Sequence, residues 1–179
     1  TNEQGWLQLE LAYDDENQKR LIKNNNRFPG QMLIPSRKAE FGVISDIDDT
    51  ILKTGVTSLL KWRVIFNTLF TGVGKRTPFK GAASFYKQLH LGKSGKASNP
   101  MFYVSNSPWN LYHYLQAFIK HNNFPKGAIL LRDFRTPFDR TPKPEKPHKQ
   151  REIRNILNTY PDLQFVLIGD SGEHDADIY

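Results

Sequence analysis

From Phe41 onward the chain alternates short apolar runs with helical patterns, and each run delivers the backbone into a polar cluster. The runs cover Phe41–Ser45, Met101–Ser105, Ala128–Leu131 and Phe165–Gly169. Each is apolar almost throughout rather than at every second position, which is the mark of a strand covered on both faces. Between them the spacing predicts helices over Val56–Phe70, Gly81–His90, Pro108–Lys120 and Pro147–Tyr160. Strand and helix in strict succession predict an α/β fold, a three-layer sandwich with a mostly parallel sheet of Rossmann-like type. In such sheets ligands bind beyond the carboxyl ends of the strands. The polar clusters "DIDDT", "SNSPWN", "RDFR" and "DSGEHDAD" follow the four runs in turn. They are therefore expected to meet in space.

The first forty residues have a different rhythm. "WLQLELAY" (Trp6–Tyr13) alternates apolar and polar positions as a half-buried strand does. "DDENQKR" and "KNNNRFPG" read as turn chemistry, and "QMLIP" as a second short strand. Residues 1–40 are thus expected to be a small strand-rich unit ahead of a domain over 41–179. Thr1 is not an initiator Met and no leader pattern follows it, which reads as a processed product or a fragment.

Carboxylates dominate the clusters. Asp46 and Asp48 stand two apart with Thr50 beyond them, and Asp170 and Asp175 follow the last run. Acids gathered from two strand ends suit a hard, oxygen-seeking cation such as Mg²⁺. The chain has no cysteine, which excludes thiolate metal sites and disulfides alike. Ser105 lies just past the second run, and Lys149 opens the helix that leads into the last, 21 residues before Asp170. A carboxylate nucleophile, a second carboxylate, a cation, a hydroxyl and an ammonium together make the parts of a phosphoryl-transfer site. In that scheme Asp46 attacks phosphorus, and Asp48 protonates the leaving alkoxide and then activates water. Each part has a plainer reading. Ser105 is also placed to cap the helix that begins at Pro108, Lys149 to be a solvated helix residue, and Asp170 and Asp175 to line a loop or a calcium site.

The blocks "GVISDIDDTILKTGVT", "FYVSNSPWNLY", "LLRDFR", "HK" and "FVLIGDSGEHDADIY" carry a resemblance. Their order is similar to that of the haloacid dehalogenase-like phosphatases. More closely, residues 41–179 resemble the catalytic domain of the actin-patch-associated phosphatidate phosphatase family, which is related to the lipins, and "RFPGQMLIP" resembles that family's lead-in. The resemblance implies Mg²⁺-dependent hydrolysis of phosphatidic acid to diacylglycerol. It implies that Asp46 is the nucleophile and Asp48 the acid/base, also lending a carbonyl to the metal. By the same resemblance Asp170 and Asp175 hold the ion, and Ser105 and Lys149 hold the phosphate. Thr50, Asn106 and Arg132 fall inside matched blocks as candidate substrate contacts. Room for a cap between Ile51 and Pro100 is enough for a helix pair only, so the pocket is expected to be open. Relatives are expected to continue past the last motif with at least one more strand and helix.

Lys and Arg number 25 against 18 Asp and Glu, a net charge of +7. That balance suits an anionic partner, whether phosphorylated substrate, nucleic acid or acidic membrane. No interleaving of aromatic and basic residues marks a base-stacking platform, so nucleic acid is the least favoured. Leu59, Trp62, Phe66 and Leu69 fall at helical spacing beside Lys61, Arg63, Lys75 and Arg76. The stripe fits either an interfacial helix on anionic lipid or ordinary packing against the sheet. No segment reaches the roughly 20 apolar residues of a membrane span, so the protein is expected to be cytoplasmic or peripheral to a membrane. The expected reaction is phosphatidate hydrolysis, with hydrolysis of another phosphomonoester and non-catalytic binding of phosphatidic acid as alternatives.

Overall fold

The computed structural model describes residues 5–12, 27–47, 81–133 and 147–169. In chain order these form β1 (Trp6–Ala12), β2 (Arg27–Leu33), β3 (Gly42–Asp46), α1 (Ala82–Leu91) and β4 (Met101–Pro108). A short 3-10 helix (Trp109–Leu111), α2 (Tyr112–His121), β5 (Ala128–Arg132), α3 (His148–Thr159) and β6 (Phe165–Ile168) follow. The expected helix over Val56–Phe70, with its apolar stripe, lies outside the described residues, as do Asp48, Thr50, Asp170 and Asp175.

The four apolar runs form one sheet in the order β5-β4-β3-β6, and every neighbouring pair is parallel. The chain steps outward from β3 to β4 to β5, then crosses back to β6 on the other flank of β3. Steps in opposite directions with one handedness of crossover place their helices on opposite faces. The packing agrees. Val43 and Ile47, Met101 and Tyr103 meet Tyr86 of α1 and Leu115, Phe118 and Ile119 of α2 in one buried cluster. Ile44, Phe102 and Val104 meet Ile153 and Ile156 of α3 in the other. Helices thus cover both faces, which is why β3 is buried at every position.

Each helix presents a stripe rather than a single anchor. Leu115, Phe118 and Ile119 of α2 fall three and four apart, and Lys149, Ile153 and Ile156 of α3 fall four and three apart. The start of β3 is tied down by Asn99, which is fully buried. Its Oδ1 accepts the amides of Glu40 (2.8 Å) and Phe41 (3.3 Å), and its Nδ2 donates to the Leu89 carbonyl (2.8 Å). One amide side chain therefore sets the end of α1 and the entrances of β3 and β4 together. That fixes how far along the sheet Asp46 stands.

Two expectations need correction. "RFPG" is strand rather than turn: β2 runs from Arg27, with Phe28 opposite Leu11 and Pro29 opposite Glu10 in an antiparallel pair with β1. A two-stranded ribbon has only edge strands, where proline costs no ladder bond. Pro108 ends β4 instead of opening a helix, and α2 starts four residues later, after the 3-10 turn. Its extended backbone (φ −74°, ψ 155°) is as compatible with the pyrrolidine ring as a helical one.

Candidate active site

Strand parity decides what Asp46 faces. It shares a face of β3 with Ile44, the face that α3 covers, and it is the last residue of the strand. The α3 residue that meets it is Lys149, whose Nζ lies 3.0 Å from Asp46 Oδ1. Both side chains are sealed from solvent, at 2% and 0% exposure. Such a pair is expensive to bury. Taking each ion out of water costs several kcal/mol, and an apolar pair of similar volume commonly holds a fold as well or better. Lys149 also sits in the first turn of α3, where the positive end of the helix dipole repels a cation. Neither core packing nor helix stability explains a lysine here. The pair stands at the carboxyl end of the central strand, the end at which open parallel α/β sheets bind their ligands.

Ser105 stands on the neighbouring strand. Val104 is the register partner of Asp46, and Ser105 lies one residue further along β4. It is fully buried, and its Oγ accepts the Ser107 amide at 2.9 Å. No side-chain cap is found at the start of the 3-10 helix or of α2, so the capping role considered for Ser105 is not realised. The solvated reading of Lys149 is likewise overturned by its burial. Asn106 and Arg132 are exposed at the ends of β4 and β5, on the same edge of the sheet. The structure therefore pairs Asp46 with Lys149 and places Ser105 at the same end of the adjacent strand, with Asn106 and Arg132 exposed near the ends of β4 and β5. Among the described residues no group of three His, Cys, Asp or Glu side chains is gathered to hold a metal ion.

A residue that the sequence did not single out lies on the other side of Asp46. Ser45 points to the α1 face, where its Oγ is 2.6 Å from the Tyr86 hydroxyl and donates to the Asp46 carbonyl at 2.8 Å. Burial, with a smaller push from the Asp46 charge, raises the Tyr86 phenol to about 12 even though its bond to Ser45 works the other way. It keeps its proton at any physiological pH. The available signal was Ser45 itself, the one hydroxyl in "GVIS", a run otherwise free of polar side chains.

At the same end, two strands from Asp46, a cleft of about 310 Å³ opens at β5 and the first turns of α3. Trp109, Ile129 to Leu131, Asp133 and the Arg151–Glu152 pair line it. Strands lie about 4.8 Å apart, so the cleft begins roughly 10 Å from the strand that carries Asp46. Beside it His148 is buried, and desolvation lowers its pKa against the opposing pull of Glu152, whose Oε1 is 3.8 Å away.

Fold and site define a class: a parallel α/β protein with a buried carboxylate–ammonium pair at the carboxyl end of its central strand, where the strand order reverses. Residues 41–179 match the family described as phosphatidate phosphatase APP1, catalytic domain, and the chain belongs to that family. It is 39% identical over 139 residues to phosphatidate phosphatase APP1 of Saccharomyces cerevisiae, covering 77% of this chain and 22% of that protein. It is 30% identical over 138 residues to the uncharacterized protein C29B5.04c of Schizosaccharomyces pombe, covering 76% and 22%. The chain spans about a fifth of the length of these curated relatives.

Proposed function

We propose that this chain is a Mg²⁺-dependent phosphatase of haloacid dehalogenase-like architecture that hydrolyses phosphatidic acid to diacylglycerol and phosphate. The observation that carries the reading is the Asp46–Lys149 pair, 3.0 Å apart and sealed from water at the carboxyl end of the central strand. Family membership and the yeast relative's name support the substrate. The cleft at the same end of the sheet, with Trp109 and the apolar Ile129 to Leu131 in its wall, is where the reading puts the lipid's glycerol and first acyl carbons.

In the first step an Asp46 carboxylate oxygen attacks phosphorus while the bond from phosphorus to the glycerol oxygen breaks. The Asp48 carboxyl gives its proton to that departing oxygen. Lys149 holds the Asp46 carboxylate in line and offsets charge that builds on the phosphoryl oxygens. Ser105, whose Oγ accepts the Ser107 amide, would hold a phosphoryl oxygen through its hydroxyl. In the second step Asp48, now ionised, takes a proton from water. The water oxygen bonds to phosphorus, the bond to Asp46 breaks, and inorganic phosphate leaves. The carboxylates of Asp46, Asp170 and Asp175 and the carbonyl of Asp48 would hold the ion, an all-oxygen donor set that suits Mg²⁺. When bound, Mg²⁺ supplies positive charge to the transferring phosphoryl group.

Phosphate release is the test, measured from phosphatidic acid in mixed micelles and from a soluble phosphomonoester, each with Mg²⁺ and with chelator. The expected outcome is release from the lipid that needs Mg²⁺ and far exceeds release from the soluble ester. Equal rates on both would make the chain a general phosphomonoesterase. Binding to phosphatidic acid vesicles without release would make it a binding module.

A further inference from the structure

Tyr86 is a buried phenol to which the reaction above gives no task. Its ring is fixed by packing, edge-on to Phe124 at 5.3 Å and stacked on Tyr103 at 6.4 Å. Its hydroxyl is 2.6 Å from Ser45 Oγ. A serine hydroxyl has one proton, and Ser45 commits that proton to the Asp46 carbonyl at 2.8 Å. At the other contact Ser45 can therefore only accept, and Tyr86 is the donor. The result is a directed chain from Tyr86 O–H to Ser45 Oγ, and from Ser45 O–H to the carbonyl of the nucleophile.

That carbonyl has a particular position. The Gly42 amide bonds Gln164 and the Val43 amide bonds Pro100, so even-numbered residues of β3 present their backbone to β6 and odd-numbered ones to β4. The carbonyl of Asp46 points toward β6, past Ser45, whose register partner Ile168 is the last residue of that strand. The other half of the same peptide plane, the Ile47 amide, reaches the Val104 carbonyl at 3.3 Å, a long bond. Ser45 adds a side-chain bond to this plane at the end of the strand. The plane also lies on the chain between the nucleophile and Asp48, two residues on.

We propose that Tyr86 and Ser45 are positioning residues, a buried hydroxyl relay that holds the Asp46–Ile47 peptide plane and so sets the nucleophile relative to the acid that follows it. Neither touches substrate. Their part is to restrain the Asp46 backbone torsion at the carboxyl end of β3 through the bond to its carbonyl. Only the kinetic consequence rests on the phosphatase reading; the relay itself rests on the hydrogen bonds.

Tyr86→Phe keeps the ring and its packing and removes only the donor. Ser45→Ala removes the link. Hydrogen exchange at the Ile47 amide is expected to speed up about tenfold in each variant, with the amides of Met101 and Phe102 unchanged. If phosphate release is present, kcat is expected to fall about tenfold with KM within about twofold. The double variant is expected to be no worse than the poorer single, because both cut one chain. Unchanged Ile47 exchange in Tyr86→Phe, or losses that multiply in the double variant, would overturn the relay whatever the activity. Should no form release phosphate while Ile47 exchange responds, the relay stands and the phosphatase reading falls. If Ser45→Ala does not fold, Tyr86→Phe carries both measurements alone.

Discussion

The two sheets among the described residues use the same kinds of residue to opposite ends. In β3 every side chain is buried, whether apolar or charged. In the β1–β2 ribbon Leu7, Leu9 and Leu11 stand opposite Met32, Gly30 and Phe28, an apolar row along one face. Yet Leu11 is 57% exposed, Met32 47% and Phe28 41%. The other face holds the ribbon to the domain, through Leu33 against the α3-side core, Trp6 under the Lys126 ammonium and Gln31 bonded to Lys126. The cause is cover. A parallel strand inside βαβ units has a helix over each face, so its residues are buried whatever they are. A ribbon anchored along one face leaves the other to solvent, whatever it carries. Burial in this protein is set by what lies across from a strand before it is set by hydrophobicity, and that is how an aspartate and a lysine came to share the interior.

The sharpest test of the buried end is Asp46→Asn. Its amide oxygen can still accept from Lys149 but leaves that buried ammonium without a counter-charge, so the fold is expected to survive at a lowered melting temperature. Phosphate release is expected to fall by on the order of 10⁶, as when a covalent nucleophile is removed. Retained release would take Asp46 out of that role. Lys149→Met comes next, because it leaves a carboxylate buried without its ammonium and is expected to cost about 3–5 kcal/mol in urea unfolding. Adding Asp46→Leu is expected to recover most of that loss, even as activity stays absent. A failure to recover would mean that Lys149 stabilises by more than its pairing.

Packing draws the same contrast more gently. Phe102→Ala in β4 is expected to cost about 3–5 kcal/mol, whereas Leu11→Ala on the open face of the ribbon is expected to stay within about 0.5 kcal/mol. Similar costs at both places would show that the ribbon face is covered in solution. The smallest effect is the titration of His148. Its folded pKa lies below the ordinary histidine value because burial disfavours the charged ring. The unfolded chain therefore takes up its proton first as pH falls. The stability His148 contributes is complete above about 6.5 and is lost as pH drops toward its folded value. His148→Gln is expected to flatten that part of a stability-against-pH curve, and an unchanged slope would assign it to other groups.

Much of this was legible in particular residues. The parallel strands fall within a residue or two of the apolar runs at their starts, because a strand buried on both faces has little freedom in composition. β4 alone runs on to Pro108. Lys149 was more legible than its solvated reading allowed, standing four and seven residues before Ile153 and Ile156 on the buried stripe of α3. "RFPG" and Pro108 misled because proline and glycine mark turns only where the ladder needs an amide, and here neither site does. Tyr86 could not be found from its own neighbourhood. Its role depends on Ser45, 41 residues away.

The amino-acid sequence by itself determined where the parallel strands lie and that Asp46 and Ser105 fall toward their carboxyl ends. Period-two alternation also determined that Ser45 and Asp46 look to opposite faces of the sheet. Only the tertiary structure decided what each of them meets. The strand order, and the crossover that sends α3 to one face and α1 to the other, put Lys149 beside Asp46 and Tyr86 beside Ser45. The physical reason is range: a strand's periodicity is local, whereas the helix that covers each face is chosen by connections tens of residues long.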